Sequence, residues 1–537
     1  MRAVTAVLLA VLLCAAGAHA QTRTVEILNA DLVTVQSDSG GVVRQLDGNV
    51  RLRQDTTLLS ARSAVYDEAR NEVALRGGVR IVSGRDTLTA EEVLYRSDTR
   101  VAEARDRVRV GDGESVLLAP QATYDTGAEV STFSGGGRIL HRGAVITSPA
   151  GEYSSGTRVA RLSGPVRLVD STDVLTAARG TYDARIQRAD FAGLVRLRRP
   201  DTRLAADSVV YFRRTERARA YGRVALERVG EERTGRRAGG APADSSRRTF
   251  LFGEQVLYDG QAETAGARGE SRAGRSPRDP LLVTLRGRDD GGVDTTLVRA
   301  PRLDALQVVA GADTLQTLVA WGGARLYDGR LAAVADSARL VRSAPRDGPS
   351  VDRLGLFSRA RPSAWADGAQ LTGDTLSVVS RAERVDSVLV VGRAFAARVD
   401  STVGRVQQLA GGRMLAVFEG DSLRRLSVWP TAEAVTYRAD AAGLLAGADR
   451  LSADSLVVAF RDGAIREVRG YGGIAGTAYG PRIVPDGVRL PGFAFEPDAA
   501  PTRAAVLDPD GWEADFLRDF GPPAEALRPP PEGTGGG

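Results

Sequence analysis

The sequence predicts an all-β protein built on a 29-residue repeat, and two observations carry that prediction. Tyrosines stand at Tyr66, Tyr95, Tyr124, Tyr153, Tyr182 and Tyr211, each 29 residues after the last. Self-similarity at a fixed period of this size marks an architecture in which one unit stacks on the next. Inside each period the apolar residues recur at spacings of two, which puts them on one face of a strand, whereas a helix needs spacings of three and four.

The slots follow in order. A glycine slot reads Gly48, Gly77, Asp106, Gly135, Gly164, Gly193 and Gly222. Two residues on come Val50, Val79, Val108, Gly137, Val166, Val195 and Val224, and two further on Leu52, Ile81, Val110, Ile139, Leu168, Leu197 and Leu226. A second strand begins at Leu59, Leu88, Leu117, Ile146, Leu175 and Leu204. It continues at Ala61, Ala90, Ala119, Ser148, Ala177 and Ala206, and the tyrosine follows five residues later. Arg, Asn, Thr, Asp and Glu stand between these slots, so the other face of each strand is wet. Turns fall at 67–71 and 125–127, where Asp, Asn and Gly cluster.

A unit with four buried aliphatics gains roughly 1.5 to 3 kcal/mol from each. Ordering its backbone costs on the order of 1 to 2 kcal/mol per residue. Single repeats are therefore unstable alone, and neighbours must stack to form a continuous core. Seven repeats adding one strand each, about 4.8 Å apart, give a column about 30 Å long.

Residues 1–20 read as a signal peptide: Arg2, an apolar run from Val4 to Ala16, and a small-x-small end at Ala18-His19-Ala20. The repeats occupy 24–228. An Arg/Gly/Asp-rich insertion or linker with one rung-like strand pair (250–258) spans 229–302. A second β module spans 303–480, with one strand and turn at 414–423, a second strand at 451–463 and a hairpin step at Asp462-Gly463. Residues 481–537 form a Pro/Gly-rich tail, partly disordered, above all from Pro529 to Gly537.

Composition excludes several chemistries. Cys14, inside the leader, is the only cysteine, so the mature chain has neither disulfides nor thiolate ligands. His141 is the one histidine left after cleavage, a satisfied or surface residue without a patterned Ser/Asp partner. All 72 basic residues are arginine, and the net charge is +5. Guanidinium groups suit an anionic partner, but here they are interspersed with acids, which argues against nucleic acid. No apolar run after the leader is long enough for a membrane-spanning helix, and aromatics at 5% are too few for the girdles of a membrane barrel. The slot after the tyrosine (Asp67, Arg96, Asp125, Ser154, Asp183, Phe212) skips rungs and reads as turn residues rather than paired catalytic carboxylates. Glu91, Glu92 and Asp207 read as a solvated face. Gly135-Gly136-Gly137 reads as a tight strand connection, since no Lys-Ser/Thr follows to make a phosphate loop. Neither a metal site nor a cofactor is expected.

Three stretches carry a resemblance: Leu-Thr-Ala-Glu-Glu-Val-Leu-Tyr (88–95), Leu-Ala-Ala-Asp-Ser-Val-Val-Tyr (204–211) and Leu-Ser-Ala-Asp-Ser-Leu-Val-Val (451–458). Alternating with Gly-x-Val-x-Leu strands, they resemble the OstA-like family, which includes LptA and the N-terminal domain of LptD, lipopolysaccharide transport proteins. The second segment is similar to the long Bacteroidetes-type form of that family. The resemblance covers 24–228 and, more weakly, 410–475. It implies an open β-jellyroll folded like a taco, no enzyme activity, and residence in the periplasm in association with the outer membrane. The implied partners are lipopolysaccharide or a related glycolipid and other Lpt-type jellyrolls joined by edge-strand pairing. Acyl chains would then lie against Val50, Leu52, Leu59, Val79, Ile81, Leu88, Leu117, Ile146, Leu168, Leu175, Leu197 and Leu204. The alternative reading is a closed parallel β-solenoid, packed throughout, serving as an adhesin or a polysaccharide-active enzyme.

Overall fold

The computed structural model describes residues 24–38, 41–171, 173–200, 202–230, 247–269, 278–287, 292–310, 313–344, 349–382, 384–420, 422–461, 464–482 and 488–520. The expected signal peptide, residues 231–246 of the expected 229–302 insertion, the Asp462-Gly463 step and the Pro529–Gly537 end lie outside these residues. The chain divides into two compact units, Met1–Gln187 and Arg188–Gly537.

The first unit is an antiparallel meander. Strands Thr57–Asp67, Glu72–Ser83, Asp86–Arg96, Val101–Gly111 and Ser115–Asp125 succeed one another through tight turns, each pairing with the next. Strands start at Thr57, Asp86, Ser115, Ala144 and Asp173, and between them at Glu72, Val101, Val130 and Val159. Each repeat thus contributes two strands, so the column is longer than the sequence estimate of one strand per repeat. Antiparallel pairing also removes the parallel β-solenoid: successive strands reverse direction instead of winding the same way round.

The glycine slot is where every rung bends. Register shifts between Asp47 and Val50, Arg76 and Val79, Arg105 and Val108, and Ser163 and Val166, so that two residues oppose one, which is a β-bulge. Gly48, Gly77 and Gly164 have φ of +73°, +82° and +81° there, a region that costs a side-chain-bearing residue steric strain. Asp106, the departure from glycine, adopts φ +60°, as its short polar side chain permits. At the next rung the bulge opens into a break, dividing the strand into Val130–Ser134 and Gly137–His141 around Gly135-Gly136. Gly137 replaces the usual valine because Phe133 fills its place: a Cβ on Gly137 would lie 2.3 Å from that ring.

The bulges make a crease. Along Thr57–Asp67, Leu59 and Ala61 are buried before it and Ala64 and Tyr66 after it, so one face stays inward through the bend. Each strand therefore contributes to two arms folded over a common interior.

The second unit repeats this plan. Arg188–Arg198, Thr202–Phe212, Arg217–Gly230 and Arg247–Asp259 pair in succession with bulges at Gly193 and Gly222. Arg247–Asp259 then faces two short strands, Thr264–Arg268 and Leu281–Gly287, one on each arm. Asp313–Tyr327, Leu331–Ala344, Arg384–Asp400 and Arg405–Glu419 likewise face pairs of short strands. The single strand expected at 451–463 is two, Leu445–Ala453 and Ser455–Arg461. Asp454 sits in the crease between them, its N–H bonded to Gly472 O at 2.9 Å, and the two halves pair with different neighbours. Residues 488–520, read as tail, pack back onto this unit and include the helices Arg503–Val506 and Trp512–Phe520.

Candidate functional site

Ten of the twelve candidate residues lie in the first unit, and all ten face its interior: Val50, Leu52, Leu59, Val79, Ile81, Leu88, Leu117, Ile146, Leu168 and Leu175 are each no more than 1% exposed. Leu197 and Leu204 lie in the second unit, directly paired and 2% exposed. The register joins the leucine slots into one row. Leu52 pairs with Leu59, Leu59 with Ile81, Ile81 with Leu88, and Leu88 with Val110. The row continues through Leu117, Ile139, Ile146 and Leu168 to Leu175. Ten strands at ~4.8 Å apart make this dry stripe about 43 Å long. The neighbour of an inward residue points out: Leu58 is 47% exposed beside Leu59 at 1%.

Among the described residues no strand ladder joins the outer edges of the two arms. Side chains do. The Tyr95 hydroxyl donates to Gln54 Oε1 at 2.5 Å, Tyr124 to Asp86 Oδ2 at 2.8 Å and Tyr153 to Asp112 Oδ2 at 2.8 Å, while Tyr182 meets His141 Nδ1 at 3.0 Å. In each pair the tyrosine ends a strand on one arm and its partner ends or begins a strand on the other, about forty residues earlier. Gln54 Nε2 also donates to Ser97 O at 2.8 Å, and Ser155 bonds Asp86. Ion pairs Arg100–Asp55 and Arg158–Glu114 span the same gap. In the second unit Arg199 plays the partner, reaching the Tyr211 and Tyr258 hydroxyls at 3.4 Å.

These partners form a periodic slot that apolar patterning does not detect. Gln54, Asp112, His141 and Arg199 fall on one 29-residue period, whereas Asp86, which serves Tyr124, lies three residues past the slot position held by Ser83. The period alone was the signal; the residue types differ because each needs only a polar atom to meet a hydroxyl. His141, 2% exposed, is thus one member of a series, satisfied by Tyr182.

Three lip groups titrate away from their ordinary values. Burial pushes the Tyr124 phenol far above its ordinary range, and the Asp86 carboxylate adds to it. Burial likewise raises Tyr153, reinforced by Asp112 and partly offset by Ser115. For Asp112, burial pulls upward but is outweighed by the N–H groups of Ser115 and Glu114, the Tyr153 hydroxyl and Arg158, leaving its carboxyl below the ordinary value.

The acids after the tyrosines cap turns. Asp67 Oδ1 accepts Arg70 N–H, Asp125 Oδ1 accepts those of Gly127 and Ala128, and Asp183 Oδ1 that of Arg185. Among the described residues no group of three or more His, Cys, Asp or Glu is placed to hold a metal, and no helix is long and apolar enough to cross a membrane. At the N-terminal end, Glu26–Asn29 and Leu32–Asp38 pair, among the described residues, with Gly41–Gln54 alone. Their other edges carry no strand among the described residues, and Leu32 and Val35 are 58% and 56% exposed.

Comparison with known proteins places part of this architecture. No curated protein matches the chain. A similar solved structure is that of LptH, the LptA homologous periplasmic component of the conserved lipopolysaccharide transport device from Pseudomonas aeruginosa. It is 12% identical over 26% of this chain and 82% of that one, with a TM-score of 0.14. Residues 22–172, the stretch that builds the bulged meander and its tyrosine lips, match the family model described as OstA-like protein. Over those residues the chain is similar to OstA-like proteins.

Proposed function

We propose that the protein binds and hands on lipopolysaccharide or a related glycolipid in the periplasm, contributing to outer-membrane assembly, with acyl chains held between the arms of the first unit. One observation carries this reading. The unit encloses a dry aliphatic stripe ten strands long, yet among the described residues its mouth is closed by side-chain hydrogen bonds and ion pairs rather than by a strand ladder. A core that only has to be stable gains nothing from such a seam. A neutral hydrogen bond contributes about 1 kcal/mol net and one to a carboxylate about 1.5 to 3, so the lips part at lower cost than a strand ladder does. Acyl chains entering the gap cover the apolar surface that opening bares to water, at about 0.8 kcal/mol per methylene.

The OstA-like match over 22–172 supports the same reading. The outer edges of Glu26–Asn29 and Leu32–Asp38, which carry no strand among the described residues, suit a partner that adds a strand, as another jellyroll of this class does. Binding and transfer, with no chemical step, are the function proposed.

The test is mass spectrometry of lipids copurifying with the mature protein from its native envelope, beside an L88D/L175D double variant whose fold is checked by circular dichroism. The reading expects glycolipid on the wild type and its loss from the folded variant. A wild type free of glycolipid that instead binds or cleaves glycan contradicts it.

A further inference from the structure

The second unit buries two side-chain amides, Gln370 at 2% and Gln408 at 5% exposed, on faces otherwise given to core residues. Both are committed to one stretch of main chain that joins no strand ladder. Gln408 Nε2 donates to Val488 O at 2.8 Å, and its Oε1 accepts the Leu490 N–H at 2.9 Å. Eight residues after Val488 the arrangement recurs: the Glu496 N–H donates to Gln370 Oε1 at 2.6 Å, and Trp365 Nε1 donates to Glu496 O at 3.1 Å. Each clamp pairs one donor and one acceptor with the backbone of a segment that turns once, at Pro491-Gly492.

Between the clamps the stretch inserts apolar side chains. Leu490 is 2% exposed, and Phe493 meets Phe395 edge-on, ring centroids 5.8 Å apart. Phe495 packs on the same cluster, which holds Val435, Tyr437 and Ala448. An acyl chain could fill such apolar pockets, but it has no N–H or C=O for the amides, and buried amides left unpaired are strongly unfavourable. The chemistry matches a peptide.

We propose that the second unit carries a peptide-binding groove whose resident ligand is residues 488–496 of this chain, and that it accepts the same segment in trans from a second copy. The recognition elements are a Leu-x-x-Phe-x-Phe core (490–495) flanked by the two backbone clamps. This site is separate from the lipid interior proposed for the first unit and stands or falls independently of it.

The probe is a fluorescein-labelled synthetic peptide covering 488–498, titrated by anisotropy into full-length mature wild type and into an L490D/F493D variant with its own segment released. Saturable binding to the variant is expected, at least tenfold weaker binding to the wild type, and a loss of about tenfold when Gln408→Ala is added. A second measurement needs no altered groove: excess unlabelled peptide added to wild type should raise deuterium uptake at 488–496 and leave Arg405–Glu419 protected. No peptide binding to a variant that melts like the wild type overturns the proposal. If that variant does not fold, unchanged uptake in the wild type overturns it. Labelling of Phe395 or Tyr437 by diazirine-palmitate in the released variant, without peptide binding, overturns it in favour of a second acyl-chain site.

Discussion

The Tyr153 hydroxyl donates to Asp112 Oδ2 at 2.8 Å, joining the ends of two strands that lie on opposite arms and 41 residues apart in sequence. Asp112 also accepts the N–H groups of Glu114 and Ser115 through Oδ1, so the turn that presents it is fixed before the tyrosine arrives. Removing the hydroxyl leaves the acceptor partly served. Tyr153→Phe should therefore cost about 1.5 to 3 kcal/mol, read as a shift in the urea midpoint without a change in slope. A loss above about 3 kcal/mol would mean that the lips are an integral part of the core, not a seam.

Acid should loosen the same seam. The Asp112 carboxyl titrates below its ordinary value in the folded chain, so its contribution is present above the unfolded carboxylate pKa of about 3.9 and is lost as pH falls through the lower folded value. Denaturation midpoints measured from pH 6 to pH 2 should fall less steeply for Asp112→Asn than for the wild type. At the alkaline end the raised Tyr124 and Tyr153 phenols give the opposite slope: their contribution is complete below about pH 10 and is lost as pH rises through their folded values. Absorbance titration should show these two tyrosines ionising only with unfolding.

The crease has its own signature. Gly164 sits at φ +81°, and a Cβ there would lie 3.0 Å from Pro149. Gly164→Ala should cost about 1 to 3 kcal/mol. Asp106 already occupies the equivalent slot at φ +60°, so Asp106→Gly should change stability by less than about 1 kcal/mol. Equal losses at the two positions, measured by thermal melting, would contradict the assignment of this slot to a left-handed bulge.

How much of this was legible in the sequence depended on what each position has to do. Positions such as Leu59 and Val79 repeat one residue type because they meet the same apolar neighbours on every rung, and their period of two within a period of 29 revealed strands and inward face together. The glycine slot repeats because the backbone there is left-handed, though only the structure shows that it folds the sheet in half. The lip slot was hidden: Gln54, Asp112 and His141 share a role that many polar groups can fill. Asp454 interrupts a strand that apolar alternation reads as continuous, because hydropathy does not register a change of arm. The packing of Leu490 and Phe493 was equally invisible, since Pro485 and Pro491 argue locally against regular structure while the contacts that fix the segment come from strands forty or more residues earlier.

In the proposed function, acyl chains meet the inner face of the first unit. Leu58 and Leu59 are adjacent, one facing out and one in. The direct measurement is to place a diazirine analogue of leucine at position 59, or at 58 as the control, illuminate the protein in its native envelope and identify covalent adducts by mass spectrometry. Glycolipid adducts at 59 and none at 58 are the predicted result. No glycolipid at 59, or equal labelling at both positions, would contradict the account.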